Sequence, residues 1–217
     1  MSERNNVRRH YSSERRQEQA RETRRRIVEA ARRLFVEWGY AGTTMEAIGS
    51  EAGVAVETVY AAFRNKRALL ARVIDVSVVG DDEPAPLLER PGPQEVRRER
   101  DQRRQSRLFA RDIREIMERV GPLFEVMRNA ARTEPQIAEL LQELLQRRLQ
   151  GMTFFVQALA GNGPLRESLS EPEAADIVWT LTSAEVHRLL TVDRGWSGDR
   201  YESWLGDILV NLLLPTG

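Results

Sequence analysis

The sequence predicts an all-α protein, with a short N-terminal helix-turn-helix part followed by a larger C-terminal helical domain. Three observations point to that class. Apolar residues recur at intervals of three and four along most of the 217 positions. No alternating apolar–polar run exceeds four residues. Glycine, proline and hydroxyl residues mostly mark the ends of the periodic stretches, where helices start and stop.

In chain order, residues 1–13 are polar and basic (Arg4, Arg8, Arg9, His10) without an apolar period, so a flexible basic arm is expected. From 13 to 38 Ile27, Ala31, Leu34, Phe35 and Trp38 make one apolar stripe, and Gly39 ends that helix. Thr43 with Glu46 three residues on fits a capping box for a short helix at 44–52, stopped by Gly53. A second short helix is expected at 55–63, broken by Asn65-Lys66-Arg67, and a third at 68–79. The stretch 80–93 holds four prolines and two glycines and reads as a loop.

Beyond it, residues 94–132 are expected as one or more helices, with Gly121-Pro122 as a kink or break. Residues 94–107 are almost all Arg, Glu, Asp and Gln, and pairs such as Glu99 with Arg103 suit a solvated helix face. Pro135 opens a helix to about 160, ended by Gly161-Asn162-Gly163-Pro164. Ser170-Glu171-Pro172-Glu173 is a capping box that starts a helix to about 192, and the last helix spans 199–214. The domains are therefore placed at 14–72 and 73–217, after the arm at 1–13.

Composition narrows the function. Apolar residues make up 41% of the chain, enough for a buried core. There is no cysteine, which removes disulfides and thiolate metal sites and suits a reducing cytoplasm. No window is apolar enough for a membrane span, and the polar N-terminus is unlike a signal peptide. Net charge is zero, but unevenly spread: residues 1–72 carry 15 Arg and Lys against 9 Asp and Glu, and residues 73–217 carry 18 against 24. A basic N-terminal part on an acidic body is the charge pattern of a DNA grip attached to another module.

Two short helices joined by a glycine turn behind a longer helix make a helix-turn-helix, whose second helix enters the major groove. Ala47, Ile48, Ala52, Val54, Val59 and Phe63 supply the apolar contacts that fix the angle between the two short helices, leaving Thr58, Tyr60 and Lys66 free to face phosphates. Thr43-Thr44-Met-Glu-Ala-Ile48, Ala52-Gly53-Val54, Glu57-Thr58-Val59-Tyr60 and Phe63-Arg-Asn-Lys66-Arg-Ala-Leu69-Leu70 closely resemble the DNA-binding domain of the TetR (tetracycline-repressor-like) family over about residues 24–70.

That resemblance implies a role for each matched position. Thr44 would hold a phosphate at a helix start. Tyr60 and Lys66 would contact the DNA backbone, Thr58 the backbone or a base edge, and Val56 and Glu57 would first meet the bases. Departures from the family pattern are Ala55, where a capping Ser or Thr is common, and Gly49, where alanine is usual. Val56, Ala61 and Ala62 cannot hydrogen-bond to bases, so direct readout is thin, and DNA shape or the basic arm is expected to add specificity.

In the C-terminal part, Trp204, Leu205, Ile208, Leu209, Leu212 and Leu213 form one stripe on the last helix. The resemblance implies a homodimer through about 172–190 and 199–214; the same stripe also suits burial in the chain's own core. It implies too a pocket for a small apolar ligand among the middle helices, for which Phe109, Ile113, Met117, Phe124, Met127, Phe155, Trp179 and His187 are the candidates. With no Cys and only His10 and His187, thiol catalysis and multi-histidine metal sites lack their parts, and no phosphate loop is present. The expected function is a ligand-responsive repressor on a pseudo-palindromic operator, with no enzymatic activity, catalytic residues, metal or cofactor. The alternatives are a ligand-independent or architectural DNA-binding protein, or an activator.

Overall fold

The structure, a computed structural model, describes residues 2–81 and 86–215, with side chains from Arg15 onward. Among the described residues every regular element is helical. The chain divides into two compact units, Met1–Ile74 and Asp75–Gly217.

The first unit begins with α1 (Ser2–Gly42). The segment expected as a flexible arm is helical in its backbone from Ser2, because nothing before Gly39 breaks the run: the first 38 residues contain neither glycine nor proline. The arm's side chains lie outside the described residues. Gly39, at φ +72°, interrupts the helix as expected. Ile27, Ala31, Leu34 and Phe35 face the core, whereas Trp38 lies half exposed and off the stripe. They pack against α2 (Met45–Ala52), which packs on α3 (Val56–Phe63). The helix α4 (Lys66–Val79) follows, started by Asn65, whose Oδ1 accepts the Ala68 N–H at 2.8 Å.

In the second unit, a short 3-10 turn at Leu87–Glu89 leads into α5 (Pro91–Arg98), so helix begins inside the stretch expected as loop. Pro91 in its first position carries the fixed φ that a helix start needs. The charged segment 94–107, within the stretch expected as one or more helices, falls on two. Glu99 ends α5 and accepts the Arg100 and Asp101 N–H groups at 2.7 and 3.0 Å, and Asp101 caps α6 (Gln102–Ala130). Glu99 pairs with Arg104, not Arg103, at 3.0 Å. Nor is the segment wholly solvated: Gln105 and Ser106 are fully buried.

α6 runs through Gly121-Pro122 without a break. A proline inside a helix costs about 3 kcal/mol. Met117, Val120, Leu123, Phe124 and Met127 on the same helix are buried, at roughly 1.5–3 kcal/mol for each large side chain, so tertiary burial outweighs the local penalty.

α7 (Pro135–Ala160) follows, then α8 (Glu171–Leu181), whose start carries the expected capping box, with Ser170 and Glu173 bonded reciprocally. The helix expected to reach 192 stops at Leu181. Thr182 turns its hydroxyl back to the Val178 carbonyl at 2.7 Å, and Ser183 caps a new helix, α9 (Ala184–Arg188), which passes into a π turn at Leu189–Asp193. The last helix is α10 (Gly198–Leu213). α10 packs on α6, and α7 packs on α8, around a core that includes Leu123, Met127, Ile137, Leu159, Tyr201 and Leu205.

Candidate nucleic-acid interface

The outer side of α3 is the candidate interface, and the first unit is arranged to hold it. Val59 and Phe63 are buried and face inward, with Ile48 and Ala52 of α2 buried opposite them. Between the two helices Gly53, at φ +64° and ψ +42°, takes the left-handed conformation that ends α2, and the Val54 N–H returns to the Gly49 carbonyl at 2.9 Å. Gly49 lies at the crossing point: a Cβ there would approach the Val54 carbonyl oxygen to 3.0 Å. The glycine read as a departure from the family pattern therefore marks a close backbone approach.

Three side chains brace the turns on either side of α2. Arg26 of α1 donates through Nη2 to the Ala52 carbonyl and to the Gly53 carbonyl, the latter at 3.2 Å. Thr43 is fully buried and its hydroxyl donates toward the Leu34 and Gly39 carbonyls at 3.0 and 2.8 Å, satisfying the end of α1. Lys66 donates through Nζ to the Tyr40 and Thr43 carbonyls at 2.8 and 2.9 Å and sits 4.2 Å from the Tyr40 ring centroid.

The cap expected at Thr43 thus falls one residue later, and the expected box with Glu46 does not form, since Ala47 stands three residues after Thr44. Thr44 is the cap, accepting the Ala47 N–H at 3.1 Å, because Thr43 is already committed to α1. Arg26 escaped notice in the sequence, where its one signal was its place beside the buried Ile27. Lys66, expected at the DNA backbone, has its ammonium on two carbonyls of the turn before α2.

With the inner face fixed, the outer face presents Glu57, Thr58 and Tyr60 exposed and Val56 half-buried, and Thr44 is exposed at the start of α2. Ala55 provides no side-chain cap to α3, as its side chain dictates. Arg64 ends the helix at φ +59°, an uncommon conformation for a non-glycine residue. The basic excess of this unit is partly spent internally: Arg33 pairs with Glu51 at 2.8 Å, and Arg25 with Glu22 and Glu29 at 2.8 and 3.0 Å.

In the second unit the candidate ligand residues are close-packed. Phe109, Ile113, Met117, Phe124, Met127 and Phe155 are buried, with the Phe109 and Phe155 rings stacked at 3.7 Å between centroids. Trp179 is half-buried and His187 buried. Met117 and Phe124 line a cavity of about 10 Å³ with Leu145, Arg128, Arg148 and Glu185, room for a single water.

Residues 27–73 match the family model described as bacterial regulatory proteins, tetR family. A curated relative, the HTH-type transcriptional regulator TtgR of Pseudomonas putida, is 43% identical over 58 residues, 27% of this chain and 28% of the relative. The matched segment thus spans little more than a quarter of that protein's length. Among solved structures, FadR from Bacillus subtilis in complex with stearoyl-CoA superposes with a TM-score of 0.68 at 18% identity, covering 85% of this chain and 96% of that one. NalD, the secondary repressor of the MexAB-OprM multidrug efflux pump in Pseudomonas aeruginosa, gives 0.65 at 21% identity, covering 88% and 96%. These likenesses extend the shared fold across both units, and the N-terminal module, over residues 27–73, is similar to that of the tetR family of bacterial regulatory proteins.

Proposed function

We propose that the protein is a ligand-responsive transcriptional repressor that acts in the cytoplasm and binds a pseudo-palindromic DNA operator as a homodimer. The observation that carries this reading is the outer face of α3, exposed at Glu57, Thr58 and Tyr60, while Val59 and Phe63 on its inner face are buried. An eight-residue helix held so firmly on one side and left bare on the other fits the major groove.

Thr44, Thr58 and Tyr60 then contact phosphates and Val56 and Glu57 meet base edges, Glu57 accepting from a cytosine amino group. Lys66 acts here as a positioning residue that holds the α1–α2 turn. A row on α10, Trp204, Ile208 and Leu212, is half-buried within one chain, and Leu189 and Val192 are 53% and 67% exposed. That row, at four-residue spacing, supports pairing of two chains through 172–190 and 199–214. Two recognition helices on a two-fold axis would meet half-sites about 34–36 Å apart. An effector that favours another spacing would release the DNA, as the stearoyl-CoA complex of FadR and the efflux-pump repressor NalD lead one to expect of a chain with their fold.

The test is protection of the DNA flanking the protein's own gene. The expected result is a symmetric footprint with salt-dependent affinity, weakened about tenfold by Tyr60→Ala, roughly 1.4 kcal/mol. A single-subunit protein in solution, or an operator affinity untouched by Tyr60→Ala, would refute the assignment. Unchanged footprints across all effectors tried would favour a ligand-independent DNA-binding protein.

A further inference from the structure

Helices α6 to α10 bring an unusual set of polar groups into the interior of the second unit. Arg148 of α7 donates through Nη2 to the Trp179 carbonyl and to Thr182 Oγ1, the latter at 2.7 Å, and its guanidinium lies 5.1 Å from the Trp179 ring centroid. Among the described residues no carboxylate lies within 4 Å of it, and burial draws its pKa down to about 10. Glu185, which lines the same small cavity, is engaged by Arg128.

Close by are four further buried atoms without a hydrogen-bond partner: Trp179 Nε1, His187 Nε2, the Tyr201 hydroxyl and Glu185 Oε1, the last held by its ion pair with Arg128. The His187 and Tyr201 rings meet edge to face at 4.8 Å, and Tyr201 feels the Arg148 charge. Native interiors rarely leave such groups unsatisfied. One water in the cavity cannot serve them all, since Trp179, His187 and Tyr201 are not on its lining.

Glu185 apart, the set leans toward donors. A guanidinium and an indole N–H can only donate, and a phenol O–H and a neutral imidazole N–H can donate too. Glu185 is taken up by Arg128, so these donors call for a further acceptor, and an anionic one would also answer the charge of Arg148. The apolar side of the cavity is Met117, Phe124 and Leu145, and a thioether side chain adapts readily to a guest. The π turn that follows His187 is the kind of irregular winding that accompanies functional sites.

We propose that the effector is a small carboxylate with an apolar body. Its carboxylate sits on Arg148, with hydrogen bonds from Tyr201 and Trp179, and its body displaces Met117, Phe124 and Leu145. This rests on the second unit being a ligand domain, and the space for the body opens only as those side chains move.

The test is calorimetric titration of the full-length protein with octanoate and 4-phenylbutyrate, each beside its amide. The acids are expected to bind at least 20-fold more tightly than the amides. Arg148→Met should bring that ratio to near one while the amides still bind, and Arg148→Lys should keep part of it. Should Arg148→Met fail to fold, Tyr201→Phe decides: it removes only an unpartnered hydroxyl and should weaken the acids several-fold and leave the amides alone. Equal binding of acid and amide, or an acid preference that survives Arg148→Met or is untouched by Tyr201→Phe, overturns the carboxylate assignment and leaves the ligand domain standing. Binding of neither class, with DNA affinity unmoved by both, overturns the ligand domain as well.

Discussion

The two units treat their buried polar groups in opposite ways. In the first, the groups that fix the helix-turn-helix all have partners: Thr43 at the end of α1, Lys66 on the Tyr40 and Thr43 carbonyls, Arg26 on the Ala52 and Gly53 carbonyls, and the exposed Thr44 at the start of α2. In the second, Trp179 Nε1, His187 Nε2 and the Tyr201 hydroxyl are buried without hydrogen-bond partners around a guanidinium that, among the described residues, has no carboxylate within 4 Å. A satisfied network holds a single geometry, because every alternative breaks bonds in low dielectric. An unsatisfied one is raised in free energy, and another arrangement or a guest can lower it. The first unit is thus built for one shape and the second for more than one.

The largest expected effect tests the rigid side. Lys66→Met keeps the aliphatic stem but removes an ammonium donating to two carbonyls and facing the Tyr40 ring. Hydrogen bonds from a charged donor are worth about 1.5–3 kcal/mol each, and part of that remains as water replaces them, so a loss near 3 kcal/mol in urea unfolding is expected. Where the variant is still folded, the salt dependence of its DNA affinity should keep the wild-type slope. If stability holds and the slope falls by about one instead, Lys66 is a phosphate contact and the pin described above is not its role.

Next in size is Asp112 of α6. It is nearly buried, its side chain lies against Gly92, and burial pushes its carboxyl up to about 6 from 3.8, with Arg111 opposing and Glu115 and Glu95 adding to the rise. The folded state therefore holds the Asp112 proton more tightly than the unfolded chain. No penalty exists below pH 3.8; stability falls as pH climbs from 3.8 to 6, and the full penalty stands above 6. Asp112→Asn should raise stability by about 2 kcal/mol at pH 7.5, and the gain should vanish toward pH 4 in parallel urea titrations. A variant weaker than wild type at pH 7.5 would show that the carboxylate has a stabilising partner there.

A smaller effect separates the two units most directly. Tyr201→Phe removes a hydroxyl that is buried without a partner, so the unliganded protein should gain about 1 kcal/mol, read as a shift in the urea midpoint. A loss of about 1 kcal/mol or more would mean that the hydroxyl is bonded in solution, and the contrast between the units would weaken accordingly.

How far the sequence revealed this structure depended on the reach of the interaction that decides each feature. Ser170 and Glu173 lie three residues apart and settle their helix start between themselves, so the capping box is legible in four letters. Gly39 and Gly53 end helices for equally local reasons. Thr43 and Thr44 are alike in sequence, and only the carbonyls left open at the end of α1 decide which becomes the cap. Pro122 carries a local signal to break that the burial of its neighbours overrules. The break at Thr182-Ser183 has neither glycine nor proline to announce it.

Longer reach hides more. Arg147 and Arg148 are neighbours of identical type, yet Arg147 faces Asp75 at 58% exposure and Arg148 turns into the core. Lys66 meets carbonyls 23 and 26 residues away. The outline of the site on α3 was visible because apolar spacing names the inner face, and so the outer one by subtraction. What pins that helix was not.

The smallest prediction concerns the one loose end on the rigid side. Ala55 precedes α3 in an extended conformation, φ −65° and ψ +147°, and offers its first N–H groups no side chain. Ala55→Ser supplies an oxygen for the Glu57 N–H, the Thr58 and Val59 N–H groups already donating to the Ala55 carbonyl, and should raise the stability of the unit by about 0.5–1 kcal/mol. Its effect on DNA is the more telling half. If the first N–H groups of α3 are left open so that a phosphate can take them, as helix starts commonly do, the serine competes with the phosphate, and operator affinity should fall even as the fold gains. If affinity instead rises with stability, the bare start of α3 is only an uncapped helix.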